Sequence, residues 1–240
     1  DRFVQKRQTA MLTARAVPYQ PKRRRLIDTV CLALCTLVGV FVLGILAMAV
    51  FGSLIKFWPY NLTLTLEKYN LGKLGTAGWD ALWNSLILSS LVAVIGTAIV
   101  FTGAYIVEKT ATWPWARSAA HFAAMVPLAV PGLVLGLAYI FFFNAADNPL
   151  NAIYGTMAIL VVNTIGHFYT VCHLTAVTAL KQVDAEFESV SASLKVPFYR
   201  TFWRVTVPVC LPAILDIAAY YFVNAMTTVS AVIFLYASET

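Results

Sequence analysis

Five stretches of this chain, at 29–51, 81–107, 119–143, 153–176 and 209–234, are apolar for about the length a helix needs to cross a membrane. A hydrocarbon core about 30 Å thick is crossed by roughly 20 helical residues at about 1.5 Å each. No water lies there to satisfy the backbone, so such a segment must close its own hydrogen bonds as a helix. The expectation is an all-α, polytopic membrane protein, a helical bundle with five spans. Composition agrees, because 60% of the 240 residues are hydrophobic and only 12% are charged, a balance foreign to a water-soluble domain.

The few charges orient the spans. Arg2, Lys6, Arg7, Arg15, Lys22, Arg23, Arg24 and Arg25 precede the first span, and Lys109 and Arg117 lie between the second and third. Lys181, Lys195, Arg200 and Arg204 lie between the fourth and fifth, whereas the opposite connections hold only Lys56, Lys68 and Lys73. Short loops rich in Lys and Arg stay in the cytoplasm, so the N-terminal segment, the 108–118 turn and the 181–208 loop are expected inside. Residues 1–27, polar and basic with Pro18 and Pro21, read as a cytoplasmic linker, and 28–240 as the transmembrane domain. The basic run 22–25 stands directly before a span, where a topology anchor is a simpler reading than a nucleic-acid site, so no nucleic-acid partner is expected.

The 181–208 loop is an amphipathic interruption between two apolar runs. Asp184 is placed to cap a short helix, with Glu186 and Glu188 in the first turn, where the helix dipole favours acids. Phe187, Val190 and Leu194 then share one face at spacings of three and four, and Pro197 stops the helix. An apolar face outside the bilayer calls for a partner protein.

Within the spans, Pro127, Pro131, Gly132 and Gly136 remove backbone hydrogen bonds or allow close approach, which makes the third span a candidate hinge or pore-lining helix. Static kinked packing explains them equally well. Asn163 on the fourth span, with Thr164, His167 and Tyr169, and Asn224, Thr227, Thr228 and Ser230 on the fifth, are candidates to face a water-filled path. The competing reading is that these side chains bond their own helix backbone. His167 and His173 are about 600° apart around a helix, so no metal site is expected, and His121, His167 and His173 read as satisfied polar contacts. Asp216, the one acid well inside an apolar segment, reads as a structural partner of Arg204 or of backbone. Cys31, Cys35, Cys172 and Cys210 read as core packing. No GxxxxGK[ST], GxSxG or HExxH motif is present, so neither ATP binding, hydrolase catalysis nor a cofactor is expected of this chain.

The loop also carries a resemblance. Val205-Thr206-Val207-Pro208 fits the I-x-L-P end of the coupling loop of ABC importer permeases, and counting back puts Lys195 at that pattern's Gly and Ser189-Val190-Ser191 at its E-A-A. Lys for Gly is the main departure, and it argues against the tight turn that follows the coupling helix in that family. Trp83-Asn84-Ser85-Leu86 and Val126 to Gly132 recur in the family in the same order. The resemblance implies a half-unit of an ABC importer, five spans with a sixth missing, in the bacterial inner membrane. It implies ABC ATPase subunits at the cytoplasmic face, a periplasmic solute-binding protein and a second permease half as partners. Residues 56–64 and 223–232 look like the second half of fused permeases assigned to 2-aminoethylphosphonate import, whose relatives include fused permeases for ferric iron. The expected cargo is 2-aminoethylphosphonate, with ferric iron or another small solute as the alternative. An ion-coupled secondary transporter is the reading from another class, and His167 and Asp216 are the only ionisable candidates for it.

Overall fold

A computed structural model describes residues 24–70, 72, 78–109, 113–145, 147–184, 186–230 and 232–235. Described residues up to Leu82 form one compact unit, and those from Trp83 onward form another. Most of the expected linker, residues 1–23, lies outside the described residues.

The first unit is led by α1 (Arg25–Leu54), 30 residues long and without a buried residue in the chain. A helix that is apolar all round is suited to lipid on every side, and Asp28, its lone acid, sits in the first turn where the dipole favours it. Cys31 and Cys35 are exposed on this helix, which corrects their assignment to a core. An antiparallel hairpin follows, β1 (Ile55–Phe57) with β2 (Asn61–Leu64), a feature the apolar pattern did not foretell. It is fastened to the end of α1. Thr65 N–H donates to the Leu54 carbonyl at 2.6 Å, and Lys68 Nζ donates to that of Gly52 at 2.9 Å. These bonds satisfy carbonyls that a helix terminus leaves open.

The second unit is built on α2 (Gly78–Lys109) and α5 (Met157–Gln182). The buried residues of α2 are Ser89, Val92, Ala93, Gly96, Thr97, Val100, Phe101 and Ala104, a stripe at spacings of three and four that faces the core. By contrast α5 is buried around most of its circumference, and it packs against α3 (Pro114–Ala129), α4 (Gly132–Phe143) and α8 (Leu211–Thr227). Its Ile165, Cys172, Ala176 and Leu180 meet Val92, Val100 and Ala104 of α2 and Ile217, Tyr221 and Ala225 of α8 in one apolar cluster. Gly96 is required there, because a Cβ would lie 3.0 Å from the Tyr221 ring and 3.2 Å from Ile165.

Two of the five expected spans are broken. The 119–143 span is two helices, α3 and α4, bent by 109°. Pro131 has no N–H to continue α3 and forces Val130 out of the helical region to φ −99°, ψ 118°. The 209–234 span likewise becomes α8, which ends at Thr227, preceded by α7 (Phe198–Val209) at an angle of 75°. Pro212 in the first turn of α8 suits a helix start, so Cys210 takes the corner. Much of the segment expected as loop is therefore helix: α6 (Glu186–Ser193), then α7, which contains a π-helical turn at Phe202–Thr206. Pro197 precedes α7 rather than stopping α6. Among the described residues three helices, α1, α2 and α5, are long and apolar enough to cross a membrane, and counting each bent pair as one span gives five. The chain is an all-α polytopic membrane protein.

Candidate functional site

The short helix α6 shows an amphipathicity turned inside out. Asp184 Oδ1 accepts the Glu186 N–H at 3.0 Å and starts it, with Glu186 and Glu188 in the first turn. Its inward side is polar: Glu188 pairs with Lys109 Nζ at 3.0 Å, and the Ser191 hydroxyl bonds that of Thr201, which is buried in α7. Its outward side is apolar, with Phe187 49% exposed, Val190 56% and Leu194 71%, continued by Phe198 at the start of α7. The helix that a water-facing surface would select has the reverse arrangement.

A left-handed residue ends α6. Lys195 has φ 55°, and the next N–H, that of Val196, bonds back to the Ser191 carbonyl at 3.0 Å, while the Lys195 N–H bonds that of Ala192 at 3.0 Å. This pair of bonds is a Schellman turn, which usually has Gly at that place. The tight turn that Lys195 argued against is thus present with lysine in it. Two further contacts fix the element on the bundle. Phe202 of the π turn meets Tyr105 edge-on at 4.7 Å and Phe101 at 5.9 Å, both from α2. Pro208 lies in the last turn of α7.

The second candidate region is the polar interior around α5. Asn163, Thr164, Thr170 and His173 are fully or almost fully buried there, and Thr97 of α2 is buried as well. Thr170 Oγ1 donates to the Ala124 carbonyl of α3 at 2.7 Å, a bond between helices on a residue that the sequence reading did not single out. The Thr97 and Thr164 hydroxyls and the Nδ1 atoms of His167 and His173 have no hydrogen-bond partner among the described residues. At the α3–α4 corner Gly132 admits two of the candidate polar groups. A Cβ on it would lie 2.8 Å from Ser230 Oγ and 3.1 Å from the His167 ring. Gly136 is buried one turn further on, and Pro127 sits in the last turn of α3.

Not all the expected polar residues behave alike. Asn224 Nδ2 donates to the Tyr220 carbonyl at 2.8 Å and Thr227 Oγ1 to that of Val223 at 3.0 Å, so both bond their own helix. Thr228 caps α8 with its backbone N–H. His121 and His173 contact each other, Nδ1 to Nε2 at 3.3 Å, although they come from different spans. Their shared position near one end of the membrane was the only signal for this pairing. No Asp216–Arg204 ion pair forms among the described residues; Asp216 is exposed beside Thr175, Thr178 and Gln182 in an open cleft of about 480 Å³. No group of three or more His, Cys, Asp or Glu side chains suited to a metal occurs among the described residues.

No family model matches the chain. It is similar to permease proteins of ferric transport systems. It is 33% identical over 204 residues to FbpB 1 of Haemophilus influenzae, covering 84% of this chain and 32% of that protein. With FbpB of Actinobacillus pleuropneumoniae, a ferric transport system permease protein, it shares 33% identity over 193 residues, 79% of this chain and 27% of the relative. The Fe(3+)-transport system permease protein FbpB 2 of Haemophilus influenzae is 29% identical over 112 residues, 46% of this chain and 21% of the relative. The chain spans less than a third of the length of these curated relatives.

Proposed function

From that similarity we propose that this chain is the membrane-spanning permease part of an ATP-driven, binding-protein-dependent importer of a bacterial inner membrane, and that its cargo is ferric iron. The observation that carries the reading is the 33% identity over 79% of the chain to a ferric transport system permease protein. The names of the relatives favour ferric iron over the 2-aminoethylphosphonate suggested by residues 56–64 and 223–232. In this reading the chain performs no bond-making chemistry. A periplasmic binding protein delivers the cargo, a second permease half completes the path, and ATPase subunits at the cytoplasmic face drive it.

We assign the ATPase contact to α6. The apolar face of Phe187, Val190 and Leu194 points away from the chain and suits a groove on another protein. The polar face is tied to α2 through Glu188 and Lys109 and to α7 through Ser191 and Thr201. A displacement of α6 by a partner therefore acts on two spans at once, since α7 leads directly into α8. The candidate path residues are Gly132, Asn163, Thr164 and His167, with Ser230 beside them.

Cells deleted for the gene supply the test. Uptake of radiolabelled ferric iron by the deletion strain should fall and return with the plasmid-borne gene, while growth on 2-aminoethylphosphonate as sole phosphorus source stays normal. Normal iron uptake with loss of growth on the phosphonate would reverse the choice of cargo and leave the permease reading standing.

A further inference from the structure

A cleft of about 410 Å³ opens between α3 and α5 near the end of α2. One face of α3 supplies Ser118, His121, Phe122 and Met125, at spacings of three and four, and one face of α5 supplies Leu174 and Lys181. The charged end of the cleft holds Arg117, Glu108 and Lys181. Arg117 Nη2 donates to Glu108 Oε2 at 3.0 Å, so those two charges cancel and the remaining N–H groups of the guanidinium stay available. Lys181 makes no ion pair among the described residues and leaves the mouth net positive. The rest of the lining is Val107, Phe122, Met125, Leu174 and Val177 with Ser118 and His121 among them, and Phe122 stands 72% exposed.

The level of the cleft in the bilayer is marked by Trp113 and Trp115. They stack at 6.4 Å just before and within the first turn of α3, and both are largely exposed. Exposed Trp at a span end belongs in the headgroup layer. A cation at headgroup depth above an apolar wall matches one kind of molecule present throughout the membrane. We propose that this cleft binds an anionic phospholipid, its phosphate seated on Lys181 and Arg117 with the Ser118 hydroxyl in reach, and an acyl chain along Phe122, Met125 and Leu174. The site is separate from α6 and does not depend on the identity of the cargo.

The test uses the complete protein purified in mild detergent and offered phosphatidylglycerol or phosphatidylcholine of identical acyl chains, with bound lipid counted by native mass spectrometry. Phosphatidylglycerol should be retained several-fold better than phosphatidylcholine. Lys181→Gln should abolish most of that preference, Lys181→Arg should keep it, and Phe122→Ala should lower retention of the lipid. A millimolar excess of inorganic phosphate should leave retention unchanged. Equal retention of the two lipids, or an unaltered preference in Lys181→Gln protein whose elution matches the wild type, would overturn the proposal. Displacement of the lipid by free phosphate would also overturn it, since the site would then be one for a soluble anion.

Discussion

At the scale of single residues, Lys195 shows local hydrogen bonding overruling residue preference. A side chain in the left-handed region costs about 1 kcal/mol relative to glycine, yet the two bonds to Ser191 and Ala192 hold Lys195 at φ 55°. Lys195→Gly should therefore raise stability, by up to about 1 kcal/mol less the added freedom of glycine in the unfolded chain. Lys195→Val should lower it, because a β-branched side chain suits that region worst. Thermal unfolding of the purified protein in detergent measures both; if the valine variant were as stable as the glycine one, the turn would not be left-handed. Gly132 makes the opposite case, a glycine needed for space. Gly132→Ala brings a methyl to 2.8 Å from Ser230 Oγ and should cost about 1–2 kcal/mol. Part of that loss should return in the Gly132→Ala, Ser230→Ala double variant, and additive effects would show that the two positions do not touch. The conformation of Lys195 was not legible in the sequence, because lysine by itself speaks against that turn.

At the scale of elements, the starts and stops were read best where the backbone rules are strong. Asp184 as the start of α6 and the shared outward face of Phe187, Val190 and Leu194 follow from side-chain type and period, and both are found. The breaks at Val130 and Cys210 were less legible. Proline says where a helix loses a bond, but the 109° and 75° turns depend on what the two halves pack against. The helical course of α7 was missed because its charges and its π turn blur the period of 3.6. The unusual polarity of α6 sets the prediction at this scale. Phe187→Asp places a charge on the outward face, where the chain alone tolerates it because the side chain is half exposed. Against an apolar groove the same charge costs on the order of 3 kcal/mol. On the role proposed for α6, the variant should insert normally, yet lose co-purification with the ATPase or lose ATP hydrolysis stimulated by the loaded binding protein. Full ATPase association and transport in Phe187→Asp would remove α6 from the coupling role.

For the molecule as a whole, composition and run length foretold the all-α membrane fold, but the meeting of His121 with His173 depends on how separate spans pack and has no signature along the chain. Sidedness can be tested at α5, because this helix is unbroken over 26 residues. At about 1.5 Å per residue it is about 39 Å long, more than the roughly 30 Å of hydrocarbon. Asn148 precedes its start and Ser189 follows its end, so one crossing separates them whatever the course of the bent pairs. The basic residues Lys181, Lys195, Arg200 and Arg204 cluster on the Ser189 side, which is the ground for expecting that side in the cytoplasm. Single cysteines at Asn148 and Ser189 should therefore react with an impermeant maleimide from opposite faces of sealed vesicles, Asn148→Cys in right-side-out and Ser189→Cys in inverted ones. Cys31 and Cys35 are exposed on α1 and must first be replaced, whereas Cys172 and Cys210 are buried. Labelling of both introduced cysteines from one face would mean that α5 does not cross, and the polytopic arrangement would have to be redrawn around it.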